Sequence, residues 1–177
     1  MLNLYLICGK SGSGKTWTVE KLHKEYGYKV LRSYTTRKPR NKNDKDHYYV
    51  SLSDYYTDKD NNVIAADSCF HHNFYWSRKE QITSSDLYII DKNGITMLQE
   101  LDVKRNFIII YIDASEKQRI INMKMRGDNN LNIYSRLRND EKMFENIKSY
   151  ADFIVDGDSD DKWITIKNII DKCEEVS

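Results

Sequence analysis

The sequence predicts an α/β fold, a mostly parallel sheet of about five strands flanked by helices with a small inserted lobe. Three observations carry that expectation. Apolar runs of strand length at 4–8, 87–90 and 107–112 recur between stretches of helical periodicity. Those runs are apolar throughout rather than alternating with polar residues, as expected of parallel strands covered on both faces. The octet Gly9-Lys10-Ser11-Gly12-Ser13-Gly14-Lys15-Thr16 fits G-x-x-x-x-G-K-[ST] and lies between such a strand and a helix.

The octet fixes the fold class as a P-loop NTPase fold, because the residue types follow from what must be held. Glycines let successive N–H groups turn inward towards phosphate oxygens, and the helix that follows adds the positive end of its dipole. Lys15 reaches the outer phosphates and the Thr16 hydroxyl ligates Mg²⁺. The candidate donor-binding residues are therefore Gly9, Ser11, Gly12, Ser13, Gly14, Lys15, Thr16 and Trp17, with Thr16 as metal ligand. Val19, Leu22 and Tyr26 mark a helix over 16–26, and Gly27 supplies its stop.

Composition bounds the rest. The chain has 177 residues, enough for one domain, and a net charge of +1 that recruits neither nucleic acid nor membrane. No apolar run approaches transmembrane length, and Met1 leads straight into the first strand with no room for a signal peptide. Cys8, Cys69 and Cys173 show no metal-ligand spacing and read as small core residues in a reducing, cytoplasmic compartment.

Along the chain, 28–31 is apolar enough for a second strand. The segment 32–45 then carries Arg32, Arg37, Lys38, Arg40, Lys42 and Lys45 against one acid, Asp44. Such a run is often a solvated loop, but arginines mixed with the hydroxyls of 33–36 also make a fork for a phosphomonoester. A short helix over 51–60 is capped by Ser51 or Ser53. Strands at 63–66 and 74–76 bracket a hairpin at 71–73. The pair His71-His72 is no metal site, since neighbours on a strand point to opposite faces.

The strand 87–90 ends at Asp91, at the sheet edge where open α/β folds bind ligands. Asp91 reads either as a Walker-B-like group that organises Mg²⁺-bound water or contacts the acceptor, or as the N-cap of a helix over 92–101. The run 107–112 is the clearest buried strand, and Ser115 with Gln118 begins a helix towards Arg126 as a capping box. The stretch 127–130 breaks that helix, and a second one from about Asn132 carries Arg136 and Arg138. Arginines around such a break either close over a phosphoryl group or pair with Asp140 or Glu141. A last strand at 153–155 precedes a helix over 160–173 with Trp163, Ile166, Ile169 and Ile170 inward.

The segment Ser33-Tyr34-Thr35-Thr36-Arg37-Lys38-Pro39-Arg40, followed by Asp46-His47-Tyr48-Tyr49-Val50-Ser51, resembles the acceptor-site signature of guanylate kinases. The resemblance covers nearly the whole chain and implies ATP as donor, Mg²⁺ as cofactor and a nucleoside monophosphate, GMP or dGMP first, as acceptor. It implies acceptor contacts from Ser33, Arg37, Arg40, Tyr75 and Ser77, with His47 where the family has a tyrosine and Tyr48 as a neighbouring substitute. Arg126 and Arg136, less closely Arg138, match family lid positions, and with Lys15 and Asp91 they form the expected catalytic set. Residues 156–158 lie near where the family contacts adenine.

The implied division is a core of 1–31 and 87–177, an acceptor lobe of about 32–86 and a lid of about 126–136. The chain departs from the family at Ala66, where a glutamate reads guanine, at Ile89, where a second aspartate stands, and at Trp76, which replaces a glycine. The loop between Arg40 and Asp46 is about two residues shorter than in many relatives and has no clear counterpart of the family's acid. These losses keep one further acceptor open, another small phosphorylated molecule such as ribose 1,5-bisphosphate. A third reading, a non-catalytic guanylate-kinase-like binding module, is weaker because such modules typically lose the loop's lysine or glycines and this chain keeps both. The expected partners are small molecules, with monomer and homodimer both open.

Overall fold

The computed structural model describes residues 2–40, 42, 44–70 and 72–175; Met1 and His71, both singled out from the sequence, lie outside it. Two sheets organise the described residues. The larger has five strands in the order β2 (Val30–Leu31), β7 (Leu87–Ile89), β1 (Asn3–Cys8), β8 (Asn106–Asp113) and β9 (Phe153–Asp156), all parallel. The smaller, in the order β4 (Tyr48–Tyr49), β3 (Tyr34–Thr35), β6 (Asn73–Arg78) and β5 (Ile64–Phe70), lies between β2 and β7 in the chain. The mostly parallel five-stranded α/β architecture predicted from sequence is thus the one observed.

All six residues of β1 are buried, because the central strand is covered on both faces. One face packs Leu4, Leu6 and Cys8 with Tyr88, Ile95 and Leu98. The other packs Tyr5 and Ile7 with Val19, Leu22, Ile166 and Ile170. The helices that supply these layers are α1 (Lys15–Tyr26) and α7 (Lys162–Glu175) on one side and α4 (Lys92–Gln99) on the other. Burying a Leu or Ile side chain stabilises by roughly 1.5–3 kcal/mol, so these layers are the main adhesive of the fold.

Several local expectations are corrected. Trp163 is only half-buried; it lies against Tyr26 at 6.2 Å, with the Lys21 ammonium over its ring, at the rim of the α1–α7 contact. Cys69 is exposed on β5 rather than part of a core, whereas Cys8 is buried and burial pushes its thiol up to about 12. The helix α2 (Leu52–Asp60) takes Ser51 as its cap, reciprocated by Asp54. Ser115 caps α5 (Glu116–Met125), but Gln118 reaches Asn122 instead of returning, so only half a capping box forms. Asn129 starts α6 (Asn130–Met143) two residues earlier than the periodicity indicated. A six-residue helix, α3 (Lys79–Ser84), was invisible in the sequence because it is too short to show a period.

The small sheet has its own core. Trp76, 1 % exposed, stacks on Tyr34 at 5.6 Å, meets Tyr55 edge-on at 5.2 Å and donates its indole N–H to Asp58 at 2.7 Å. Arg78 binds the same Asp58 at 2.8 Å and lies over the Tyr34 ring. Trp76 therefore builds the lobe's interior on the side that α2 covers. His72 sits in the β5–β6 turn with φ 59°, off the strands, so the alternation argument against a His pair has no strand to act on there.

Candidate active site

The loop after β1 curls because its glycines adopt backbone angles that side chains resist. Gly12 has φ +79°, and a Cβ there would meet the Arg119 carbonyl oxygen at 2.5 Å; one at Gly9 would meet the Ile112 carbonyl at 2.7 Å. The loop runs into α1 at Lys15, so its amides and the helix N-terminus face the same space. This is a cradle that fits a triphosphate. Lys15 folds back over it, donating to the carbonyls of Gly9 at 2.6 Å and Lys10 at 3.0 Å. Burial pulls the Lys15 ammonium down to about 8, against an opposing pull from Asp140. Ser13 is fully buried with its hydroxyl unpartnered, while Thr16 and Trp17 are exposed at the start of α1.

Three residues that sequence reading did not place hold the cradle in shape. Asp140 of α6 accepts the Ser11 amide at 2.8 Å and the Ser11 hydroxyl at 3.1 Å. It also pairs with Arg119 of α5 at 2.5 Å, and both side chains are about 95 % buried, with relative exposures of 4 % and 5 %. Arg119 donates onward to the Ser11 carbonyl at 2.9 Å, and Asn122 donates to that of Gly12 at 2.7 Å. Asp140 is thus the partner of Arg119 and not of the arginines around the helix break. Those turn to Asp128 instead, which binds Arg126 directly and lies 3.7 Å from Arg136.

A cleft of about 230 Å³ joins this cradle to the small sheet. Gly9, Ser11 and Lys15 line one end; Ser33, Arg40, His47 and Tyr75 line the other, with Arg136 and Asp91 on the wall. Four of the six expected acceptor residues therefore share a cavity with the loop. Arg37 and Ser77 are not on that wall. Arg37 lies behind it, held by Asp44 and the Tyr49 hydroxyl, each at 3.2 Å. Ser77 is fully buried. Arg126 and Thr16 line a neighbouring cleft of about 430 Å³, which also takes in Arg40 and His47. Arg138 is exposed on α6.

Asp44 organises the basic segment. It accepts the Arg40 amide at 2.9 Å and both Arg37 terminal nitrogens at 3.2 Å. Burial alone would raise its pKa, but the Tyr49 hydroxyl, the Arg40 amide and Arg37 hold it well below the usual carboxylate range. Arg40 faces Asp46 at 3.4 Å. The Ser33 hydroxyl lies 2.8 Å from His47 Nδ1. Burial and then the Arg37 charge push His47 down to about 4, so the imidazole is neutral near pH 7. Tyr48 is exposed and packs on Tyr34 at 5.0 Å; the hydroxyl that reaches Arg37 belongs to Tyr49.

Asp91 caps α4, accepting the Gly94 amide at 2.9 Å, and at the same time lines the cleft. The N-cap reading of this residue is thus the one observed, on a side chain that also lines the cleft. The loop at 156–158 meets α5, where Asp158 accepts the Ser115 amide at 2.9 Å. Among the described residues no group of three or more His, Cys, Asp or Glu side chains could hold a metal ion. No helix among them is long and apolar enough to cross a membrane.

Comparison with known proteins places the fold and the sequence in a family. The family model described as Guanylate kinase matches residues 1–173. A guanylate kinase of Fusobacterium nucleatum subsp. nucleatum is 25 % identical over 169 residues, which is 88 % of this chain and 88 % of that protein. One from Lawsonia intracellularis is 34 % identical over 104 residues, 56 % of this chain and 46 % of that protein. The crystal structure of guanylate kinase from Anaplasma phagocytophilum superposes with a TM-score of 0.68 at 17 % identity, covering 99 % of this chain and 88 % of that one, and so shares the fold. With the family model spanning almost every residue, the chain belongs to the guanylate kinase family.

Proposed function

We propose that the chain transfers the γ-phosphoryl group of ATP to a nucleoside monophosphate, GMP or dGMP, giving the diphosphate. One observation carries the reading: a single cleft is lined by the triphosphate cradle at Lys15 and by the anion-binding groups Ser33, Arg40, His47 and Tyr75. Two phosphorylated molecules bound there would face each other end to end, as an in-line transfer requires.

Each residue then has a physical task. The loop amides and Lys15 hold the donor phosphates, and Lys15 exchanges its carbonyl partners for phosphate oxygens. Thr16 supplies a hydroxyl for Mg²⁺, a cation that binds through few protein ligands plus substrate phosphates and neutralises charge on them. Arg40, Ser33, His47 and Tyr75 hold the acceptor phosphate, with Arg37 behind them adding charge. Arg136 and Arg126, gathered by Asp128, stabilise the transferring group and exclude water as 126–136 closes over it. Asp91 is the acid on the acceptor side of the wall. No strong base is needed, because an acceptor phosphate oxygen is already nucleophilic.

On this reading the lobe is 32–86, the core is 1–31 with 87–177, and the partners are small nucleotides. On the same reading the setting is cytoplasmic, with Cys8 a buried residue of the core. Ala66 and Ile89 favour one alternative acceptor, ribose 1,5-bisphosphate, which needs no base-reading acid. A coupled assay with ATP and a panel of nucleoside monophosphates and sugar phosphates decides between them. Turnover with GMP or dGMP is expected; turnover confined to the sugar phosphate would overturn the nucleotide reading.

A further inference from the structure

Apart from Lys15, two cations are buried among the described residues, Arg119 and Lys162. Arg119 has its counter-ion in Asp140. The Lys162 ammonium, on a residue only 7 % exposed, instead donates to the Ser159 carbonyl and lies over the Trp17 ring, 5.3 Å from its centre. No carboxylate among the described residues forms an ion pair with it, and its chain neighbours Asp160 and Asp161 are exposed. Lys162 is also the first residue of α7, where the positive end of the helix dipole opposes a cation. A charge held out of water, against a dipole and without a counter-ion, is costly unless an anion completes it.

The stem of Lys162 shows where that anion lies. A Cβ at Gly14 would meet Lys162 Cε at 3.1 Å, so the side chain runs along the end of the phosphate-binding loop. Gly14 gives α1 no side-chain cap, and Thr18 is the residue whose amide turns back to the Gly14 carbonyl, at 2.9 Å. The amides of residues 15–17 are left to a ligand there. Two lysines therefore bracket the loop. Lys15 lies over Gly9 and Lys10 at one end, and Lys162 lies beside Gly14 and Trp17 at the other.

Building on the donor reading above, we infer that Lys162 is a further donor-binding residue whose ammonium takes the inner, α-phosphate of ATP. Lys15 holds the outer phosphates, so a triphosphate laid along the loop brings its first phosphate, with the nucleoside attached, to the Lys162 end. In the empty protein both ammonium groups rest on carbonyl oxygens, and each exchanges them for phosphate oxygens.

Lys162→Met keeps a stem against Gly14 and removes the charge. Calorimetry on the full chain with Mg²⁺-ATP and Mg²⁺-ADP, without acceptor, should show both Kd values raised by about tenfold or more and by similar factors, because both nucleotides carry the inner phosphate. A lysine acting on the outer phosphate would weaken ATP and spare ADP. The acceptor KM should stay put. The melting temperature of the free variant should be level or higher, since an unpaired buried charge has gone; a lysine needed only for packing would lower it and raise both KM values. On the wild-type protein, ATP should shift indole emission as the ammonium leaves Trp17, a signal absent in Trp17→Phe. An ATP Kd within about twofold of wild type in Lys162→Met, a loss confined to ATP, or an emission shift that survives in Trp17→Phe would overturn the inference. A wild-type protein that binds ATP and phosphorylates no nucleoside monophosphate would instead defeat the kinase reading and leave this one standing.

Discussion

The two ends of the cleft are built in opposite ways. The donor end is a contiguous run of eight residues whose shape follows from its own glycines, and Arg119, Asn122 and Asp140 lock it from behind. The other end, the proposed acceptor site, is lined by Ser33, Arg40, His47, Tyr75 and Asp91, which come from separate segments of the chain. A loop that binds any triphosphate tolerates little change, because its contacts are made by backbone. An end that recognises a particular molecule is made of side chains and can be rebuilt one at a time. Ala66, Ile89 and His47, the positions where the sequence resemblance is weakest, all lie at that second end.

The largest effect should fall on the donor end. Lys15→Ala removes the ammonium that folds over the cradle, and turnover should drop by about 10²–10³-fold or more, measured as kcat at saturating acceptor. Activity within tenfold of wild type would erase the contrast between the two ends. Next comes the brace. Asp140→Ala leaves Arg119 buried without its counter-charge and frees the Ser11 amide, and unpairing a buried ion of this kind costs about 3–5 kcal/mol. Urea unfolding reads it directly. Adding Arg119→Met should recover part of the loss, because an apolar pair no longer carries an orphaned charge. A single variant within about 1 kcal/mol of wild type would show that the loop holds its shape unaided.

At the acceptor end, losses should appear in KM and not in the melting temperature. Arg40→Ala takes one cation from the phosphate site and should raise the acceptor KM about tenfold or more while the ATP KM stays put. Asp44→Asn should act in the same direction more weakly, since it loosens Arg37 and the Arg40 backbone without removing either. Equal rises in both substrates' KM would mean that the two ends are not separable.

That contrast also explains what could be read from the sequence. The five parallel strands, α1 and the cradle were legible because each is encoded within a dozen consecutive residues. The lobe was legible mainly as a charged segment and a family likeness, because β3 and β4 are two residues long and carry no period. Contacts across the fold left no local trace. Ser33 meets a histidine fourteen positions on, Arg119 pairs with an acid twenty-one positions on, and the hydroxyl beside Arg37 is Tyr49 although Tyr48 was the candidate. Asp128 could have been found: an acid two residues beyond Arg126 in a helix break is a natural counter-ion for lid arginines.

The smallest effect, and the one that separates the ends without any change of shape, is pH. Lys15 titrates near 8 in the free protein, so it is charged below that value and loses its proton as pH rises through it. The kcat/KM for ATP should therefore be level towards neutral pH and fall above about pH 8, approaching tenfold per unit. Lys15→Arg, whose guanidinium stays protonated, should lose that alkaline limb even if its absolute rate is lower. The acceptor end should behave differently. His47 titrates near 4 and stays neutral through the working range, so it contributes no limb between pH 5 and 8. Any fall in kcat/KM for the acceptor near pH 6 then belongs to the substrate's own phosphate, whose second pKa is about 6. His47→Gln, which keeps a polar side chain at that position but cannot titrate, should leave the acid limb where it was. Movement of that limb in the variant would mean that the imidazole is charged in the free enzyme and pairs with the acceptor phosphate directly.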